Sequence, residues 1–247
     1  MANYDYKAGK RRLNNILNNK LDVIKKDKLP SEDSFTFDNG YDSLVSAIFV
    51  DIRDSSTLFA DGDKEKVSKI IRSFTSEVIE ILRDDDNLRE IGIRGDCVYA
   101  VYTTPQKNNI YELFEKTWYI NTYMKMLNTL LRRKRYPEIA VGIGMATARE
   151  LVVKAGRKGV GINNLVWIGE AVTAASNLSS IGNKEGKGTL VYSRCSYTNF
   201  IDEFVNKNGD KVKKWFKAVV SPEYGTYYHA DILDTAFDNW INAGMND

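Results

Sequence analysis

The stretch Ser46-Ala47-Ile48-Phe49-Val50-Asp51-Ile52-Arg53-Asp54-Ser55-Ser56 decides how this chain folds. Its first half is an apolar run typical of a buried strand, and Asp51 stands where that strand meets a polar turn. A second strand pattern, from Ile91 to Val101, carries Asp96 at the turn Arg94-Gly95-Asp96. Carboxylates on neighbouring strands are ligands that Mg²⁺ or Mn²⁺ prefers. The two aspartates therefore predict a site for divalent cations and phosphates.

Periodicity outward from this stretch predicts the other elements. A strand over 44–51 is followed by a helix over 64–83, a hairpin that ends near residue 103 and a long helix over 109–134. The pattern then predicts strands at 139–145 and 150–154, a glycine-rich loop over 156–161 and a helix from about residue 170. A strand near 189–192, further strands and a short closing helix follow. This order predicts an α/β (α+β) catalytic domain over 44–247 with a mostly antiparallel sheet. Residues 1–43 are predicted to form a helical arm and an extended lead-in.

Composition narrows the classes of protein that are compatible with this chain. The 247 residues are 43% hydrophobic and carry a formal net charge of +2, which does not favour a nucleic-acid-coating protein. Two cysteines and one histidine give no disulfide framework, zinc spacing or histidine-centred triad. No apolar run approaches the ~20 residues of a membrane span. We expect a cytoplasmic protein that does not insert into membranes.

A phosphate site is predicted directly after Asp51. Where the chain turns into a helix, the backbone N–H groups from about Asp54 to Leu58 are donors without helical partners and favour an anion. The side chains of Arg53, Ser55 and Ser56 lie in the same segment. The alternative is purely structural, with Asp51 a carboxylate at a helix N-terminus and Asp96 a turn residue.

Four segments together resemble the class III nucleotidyl cyclase domain. They are Ser46–Phe59, Gly95-Asp96-Cys97-Val98-Tyr99, Val141-Gly142-Ile143-Gly144 and Trp167-Ile168-Gly169-Glu170-Ala171-Val172. The resemblance implies a ferredoxin-like sandwich in which Asp51, Asp96 and the carbonyl of Ile52 bind two Mn²⁺ or Mg²⁺ ions. It also implies a homodimer that forms its active sites between two protomers.

A narrower resemblance covers most of the chain. Five segments are similar to the Pycsar cyclases of bacteria. They are Asn39-Gly40-Tyr41, Val50–Ser56, Arg94–Tyr99, Lys154–Gly159 and Gly161-Ile162-Asn163. Those anti-phage enzymes make cyclic UMP or cyclic CMP. The resemblance implies UTP or CTP as substrate, and a product that a separate cyclic-nucleotide-binding effector reads.

Two departures from the purine cyclases concern the base. The position four residues before Asp96 holds a base-reading Lys or Glu in those enzymes and is Gly92 here. Its partner position is Val166 in place of Asp, Thr or Cys. Neither side chain offers the polar contacts that select adenine or guanine. This agrees with a pyrimidine substrate whose base contacts come from elsewhere.

A third departure concerns the transition state. The family helix usually offers Asn and, four residues later, Arg, whereas this chain has Thr173 and Asn177 on one predicted helix face. Positive charge at the transferring phosphate must then come from another residue or from the metals. The candidates left open are Arg53, Arg94, Lys154, Arg157, Lys158, Lys213, Lys214 and Lys217. The loop 154–163, with three of these cations, is either a substrate lid or an ordinary connection.

Three interpretations remain at this stage. The first is a metal-dependent pyrimidine cyclase that converts UTP or CTP to the cyclic nucleotide and pyrophosphate. The second is an adenylate or guanylate cyclase that reads its base through other residues. The third is a degenerate cyclase fold that binds a nucleotide as a sensor. The changes at Thr173 and Asn177 favour the sensor, whereas the intact pair of aspartates favours an enzyme.

Overall fold

The computed structural model describes residues 4–61 and 63–246, in which seven helices and nine strands follow the chain. The helices are α1 Tyr6–Asn18, α2 Ser55–Asp61, α3 Lys64–Arg83, α4 Lys107–Arg133, α5 Ala171–Ile181, α6 Arg194–Asn208 and α7 Thr235–Asn242. The strands are β1 Asp22–Lys25, β2 Asn39–Ile52, β3 Leu88–Arg94, β4 Cys97–Thr103, β5 Val141–Arg157, β6 Ile162–Gly169, β7 Leu190–Ser193, β8 Lys217–Ser221 and β9 Gly225–Ala230.

A mostly antiparallel sheet forms the centre of the molecule. Its order is β3-β4-β2-β5-β7-β9-β8, with β1 added beside β2 and β6 beside β5. Among the described residues, only the β1–β2 and β5–β7 pairs are parallel. Strand β2 lies between β4 and β5 and pairs with β5 along nearly its whole length, so it is buried on both sides. The predicted α+β fold with its antiparallel sheet is confirmed.

Helices cover one face of the sheet and bury the larger core. Helix α3 begins where Asp63 accepts hydrogen bonds from the N–H groups of Glu65 and Lys66, as an N-cap residue does. Its apolar residues then recur every four positions and face the sheet together with those of α4 and α6. The residues that α3 buries completely are Ile70, Phe74, Val78 and Leu82.

Helix α5 lies on the opposite face and packs unusually close to β5. A Cβ atom built on Gly144 would lie 2.1 Å from the carbonyl oxygen of Ala175, and one on Gly142 would lie 2.2 Å from that of Ser179. No side chain therefore fits at either position while α5 keeps its place. The two glycines of Val141-Gly142-Ile143-Gly144 thus set how close α5 comes to the edge where Asp51 lies.

Three features differ from the sequence predictions. The expected strands 139–145 and 150–154 are one strand, β5, which continues to Arg157, and the expected glycine-rich loop is the tip of the β5–β6 hairpin. Left-handed backbone at Gly159 and Gly161 makes that tip possible. Helix α6 was missed, and strand β2 begins at Asn39, before the predicted strand start at residue 44.

Candidate active site

The two aspartates lie side by side at one edge of the sheet. Asp51 is the penultimate residue of β2 and pairs in register with Cys97, the first residue of β4. Asp96 directly precedes Cys97 in the tight turn between β3 and β4, where Gly95 has a φ of +66°. Ile52 ends β2 with its side chain buried, so its backbone carbonyl is the group it can offer to a cation.

Arg53 is tied to Asp51 and does not extend toward solvent. Its Nη2 donates to Oδ2 of Asp51 at 2.6 Å and to the carbonyl of Ser179 at 2.9 Å, and its Nη1 donates to the carbonyl of Ser180 at 2.7 Å. The arginine side chain is 6% exposed. These bonds join the end of β2 to the C-terminal end of α5. Arg53 was predicted to bind substrate, and its contacts are instead those of a residue that positions Asp51.

The electrostatics around Asp51 favour a bound cation. Burial raises the pKa of Asp51 and repulsion from Asp96 adds to this, whereas the positive charges of Arg53 and Lys184 act in the opposite direction. Two carboxylates that repel each other are stabilised when a divalent ion lies between them. The donor set of two carboxylates and a backbone carbonyl consists of hard oxygen atoms, which fits Mg²⁺ or Mn²⁺.

Lys184 is a residue that the sequence analysis missed. It lies in the loop between α5 and β7, and its charge is near enough to lower the pKa of Asp51. The residues on either side, Asn183 and Glu185, both have left-handed backbone, with φ of 55° and 51°. No motif marks this loop. Only the close packing of α5 against β5 brings it to the aspartates.

The predicted row of phosphate-binding N–H groups is shorter than expected. The N–H groups of Thr57 and Leu58 both donate to the carbonyl of Asp54 and are therefore occupied. Asp54 itself is exposed and has a φ of 53°, and the half-buried Ser55 begins helix α2. The part of the row that remains for an anion is Asp54 to Ser56.

Removing the Arg53 side chain should destabilise the fold strongly. The Arg53→Ala variant leaves a carboxylate and two helix carbonyls without their donor, and we expect a loss of about 3 kcal/mol in the free energy of unfolding. Urea unfolding followed by circular dichroism measures this loss.

Arg149 on β5 provides the matched control. It also pairs with an aspartate of β2, Asp42, but its side chain is 54% exposed. Arg149→Ala should therefore cost less than about 1 kcal/mol. Equal losses in the two variants would contradict the positioning role of Arg53.

Thr173 and Asn177 lie on the exposed face of α5, as their spacing predicts. They line a cleft of about 480 Å³ together with Glu170, Glu223 and Tyr224 among others. Arg53 and Asp54 line a different cleft, of about 450 Å³. The cleft at Thr173 and Asn177 thus does not include Arg53 or Asp54, which follow Asp51 in the chain.

The cations of the β5–β6 hairpin are not brought to the aspartates of their own chain. Asp51 pairs with Gly142 near the start of β5, whereas Lys154 lies toward the end of that strand, Arg157 is its last residue and Lys158 follows it. A strand of 17 residues has a contour of roughly 50 Å. Arg94 is exposed at the end of β3, two residues from Asp96. Within one chain, Arg94 is therefore closer to the aspartates along the backbone than Lys154, Arg157 and Lys158 are.

The two positions predicted to face the base are next to aromatic residues. Gly92 pairs in register with Tyr99, and a Cβ on Gly92 would lie 2.9 Å from atoms of the Tyr99 ring. Val166 is 42% exposed on β6 and precedes Trp167. A long polar side chain thus has no room at the first position, and the second offers an aliphatic surface.

Within residues 4–61 and 63–246, no group of three or more His, Cys, Asp or Glu side chains is placed to hold a metal ion, so the candidate metal site depends on its two carboxylates. No helix in these ranges has the length and hydropathy of a membrane-spanning segment.

The fold is that of the class III nucleotidyl cyclases. The structure matches that of the adenylyl cyclase CyaB from P. aeruginosa with a TM-score of 0.62 at 16% identity, covering 79% of this chain and 97% of the other. It matches the guanylyl cyclase Cya2 with the same TM-score at 13% identity, covering 79% and 95%. These likenesses concern the fold. No family model matches the sequence.

Sequence relatives narrow the class to one family. A uridylate cyclase from Treponema porcinum is 52% identical over 244 residues, which are 99% of this chain and 83% of the relative. A uridylate cyclase from Gulbenkiania mobilis is 32% identical over 189 residues, covering 74% and 73%. The chain belongs to this family of pyrimidine nucleotide cyclases, and it is a nucleotidyl cyclase.

Proposed function

We propose that the protein converts UTP to cyclic UMP and pyrophosphate. The observation that carries the proposal is the pairing of Asp51 with the strand that begins directly after Asp96, in a chain 52% identical to a uridylate cyclase. In this reaction the ribose 3′-oxygen bonds to the α-phosphorus, the bond to the β-phosphate oxygen breaks, and the 3′-hydroxyl proton passes to solvent. Two bound divalent ions supply Lewis-acid stabilisation of the triphosphate and lower the pKa of the 3′-hydroxyl.

The chain's own residues hold and orient the reactants. Asp51, Asp96 and the carbonyl of Ile52 bind the cations, and Arg53 keeps the Asp51 carboxylate in place. The N–H groups from Asp54 to Ser56, with the side chains of the two serines, receive phosphate oxygens. Arg94 and Lys184 provide positive charge toward the leaving pyrophosphate.

The active site is composed from two chains in this proposal. Thr173 and Asn177 line a cleft that does not include Arg53 or Asp54, and this supports a homodimer in which each α5 serves the aspartates of the partner. Thr173 and Asn177 then orient the ribose and the α-phosphate by hydrogen bonds. The basic β5–β6 hairpin, with Lys154, Arg157 and Lys158, acts on the triphosphate across the same interface.

The biological role follows from the product. We assign the enzyme to bacterial anti-phage defence of the Pycsar type, in the cytoplasm, with cyclic UMP as a second messenger. A separate protein with a cyclic-nucleotide-binding domain reads that messenger. The likeness to the two uridylate cyclases supports cyclic UMP as the product, and the defence role rests on the resemblance of the sequence motifs to the Pycsar cyclases.

Substrate selectivity tests the proposal directly. The purified protein is incubated with Mn²⁺ and each of the four nucleoside triphosphates, and the product is identified by mass. We expect cyclic UMP as the main product, with kcat/KM for ATP and GTP at least about 100-fold below that for UTP, because Gly92 and Val166 offer purines no polar contact. A preference for ATP or GTP would refute the pyrimidine assignment, and a preference for CTP would refute the choice of UTP.

A further inference from the structure

Three residues from distant parts of the sequence form one hydrogen-bonded cluster. Glu90 on β3 accepts a hydrogen bond from the hydroxyl of Tyr99 at Oε1 and from the indole N–H of Trp167 at Oε2, both at 2.6 Å. We call these three residues, Glu90, Tyr99 and Trp167, the Glu90 cluster. Distances this short are typical of hydrogen bonds to an ionised carboxylate. None of these residues is used in the reaction described above.

The Glu90 cluster lies on the same face of the sheet as Asp51. The Tyr99 ring stacks on Phe49, with centroids 5.2 Å apart and planes 18° from parallel. Phe49 precedes Asp51 by two positions on β2, and alternate residues of a strand point to the same face. Phe49, Tyr99 and Trp167 belong to the smaller core beneath α5, away from α3 and α4. The cluster thus lies on the face of the sheet that α5 covers and to which Asp51 points.

The polar groups of the cluster have a defined order. A carboxylate, which only accepts, stands between two side chains that can donate, the Tyr99 hydroxyl and the Trp167 N–H. The hydrogen bond to Glu90, together with burial, raises the pKa of Tyr99 to about 12. Tyr99 is therefore protonated at neutral pH and can act as a donor. The cluster presents donor, acceptor and donor side by side.

We propose that the Glu90 cluster reads the uracil ring of the substrate. The edge of uracil presents an acceptor (O4), a donor (N3–H) and an acceptor (O2), which is the complement of this order. Cytosine presents a donor, an acceptor and an acceptor, so two of its three groups mismatch. Guanine presents an acceptor and two donors, so its second donor meets a donor of the cluster. Adenine has a donor at the exocyclic position, which also meets a donor of the cluster.

The surroundings of the cluster suit a small flat ring. Tyr99 fills the space beside Gly92, which leaves less room for the second ring of a purine. In the free enzyme the two donors are satisfied by Glu90. A bound uracil accepts from both donors while its N3–H donates to one oxygen of the carboxylate, so three hydrogen bonds to the base replace the two within the cluster.

The inference depends on the proposed function and is tested by the ratio of kcat/KM for UTP to kcat/KM for CTP. Tyr99→Phe and Trp167→Phe each remove one donor and keep an aromatic ring, and Glu90→Gln keeps the shape while changing the central charge. We expect each variant to lower the ratio by about tenfold, mainly through UTP. Tyr102→Phe is the matched control, because Tyr102 lies on the same strand but its hydroxyl donates to the carbonyl of Leu82 on the other face. Its ratio should not change.

A purely structural role of the cluster predicts a different result. If the cluster only ties β6 to β3, the variants lose activity with UTP and CTP equally, and an unchanged ratio would overturn the inference. Calorimetric measurement of UMP and CMP binding tests the base-reading role separately from the proposed function. A wild-type protein that makes no cyclic UMP but binds UMP more tightly than CMP, with the difference lost in Tyr99→Phe, would refute the function and support the base-reading role. Equal binding of UMP and CMP by the wild type would overturn that role.

Discussion

Asp96→Ala should reduce the formation of cyclic product to background, and Asp51→Asn should do the same. Each variant loses a carboxylate that is assigned to the cations, and the loss of a group that stabilises transition-state charge costs roughly 100- to 1,000-fold in rate. Asparagine is the better replacement at position 51, because its amide oxygen can still accept from Arg53, whereas alanine leaves a buried guanidinium without its partner. Product is measured by mass spectrometry at saturating UTP and Mn²⁺.

Two further measurements make this test specific. Asp42→Asn changes another aspartate of β2 that is paired with an arginine, Arg149, and it should retain near wild-type turnover. Titration with Mn²⁺ in the absence of nucleotide should show weaker binding in the Asp51 and Asp96 variants only. Near wild-type turnover in Asp51→Asn or in Asp96→Ala would contradict the metal assignment.

The aspartate pair could be predicted because its signal is local. An apolar run that ends in a polar turn specifies a strand end, and two such patterns separated by one helix specify neighbouring strands. The structure pairs these two strands and places Asp51 in register with Cys97. The α3 boundaries were predicted well for a similar reason, since its apolar residues recur every four positions, although the residue that caps it is Asp63.

The contacts between distant segments could not be predicted in this way. Nothing near Arg53 in the sequence indicates that its guanidinium meets the carbonyls of Ser179 and Ser180, so its charge was assigned to a phosphate. The cluster of Glu90, Tyr99 and Trp167 joins three strands and has no motif. Both features depend on how the β5–β6 hairpin and α5 fold back over the sheet, which is tertiary information.

Secondary structure was mispredicted where local signals conflict. Glycines at 156, 159 and 161 indicate a loop, yet two of them only form the tip of a hairpin, and Gly156 lies in β5 where a Cβ would meet the carbonyl of Ile162 at 2.3 Å. Helix α6 was missed because β-branched, aromatic and Asn residues give it a weak helical propensity. Its stability comes from the rings of Phe200 and Phe204 packed on Phe114 of α4.

Mixing two inactive variants should restore activity if the active site is shared between protomers. One chain carries Asp51→Asn and the other carries Thr173→Ala with Asn177→Ala. In a two-fold symmetric dimer, one site of each mixed pair collects both defects and the other has none. With free exchange at equal amounts, half of the dimers are mixed and each has one intact site, so we expect about a quarter of wild-type activity.

The geometry of α5 makes this outcome specific to a composite site. The faces that carry Thr173 and Asn177 line a cleft that does not include Arg53 or Asp54 of the same chain, although Arg53 ties the end of that helix to Asp51. A control mixture of Asp51→Asn and Asp96→Ala chains should remain inactive, because every site then lacks one carboxylate. Restored activity in the first mixture and none in the control would support cation binding and substrate orientation by different chains. If both mixtures stay inactive although exchange is verified by mass and the double variant is itself inactive, Thr173 and Asn177 act on the aspartates of their own chain.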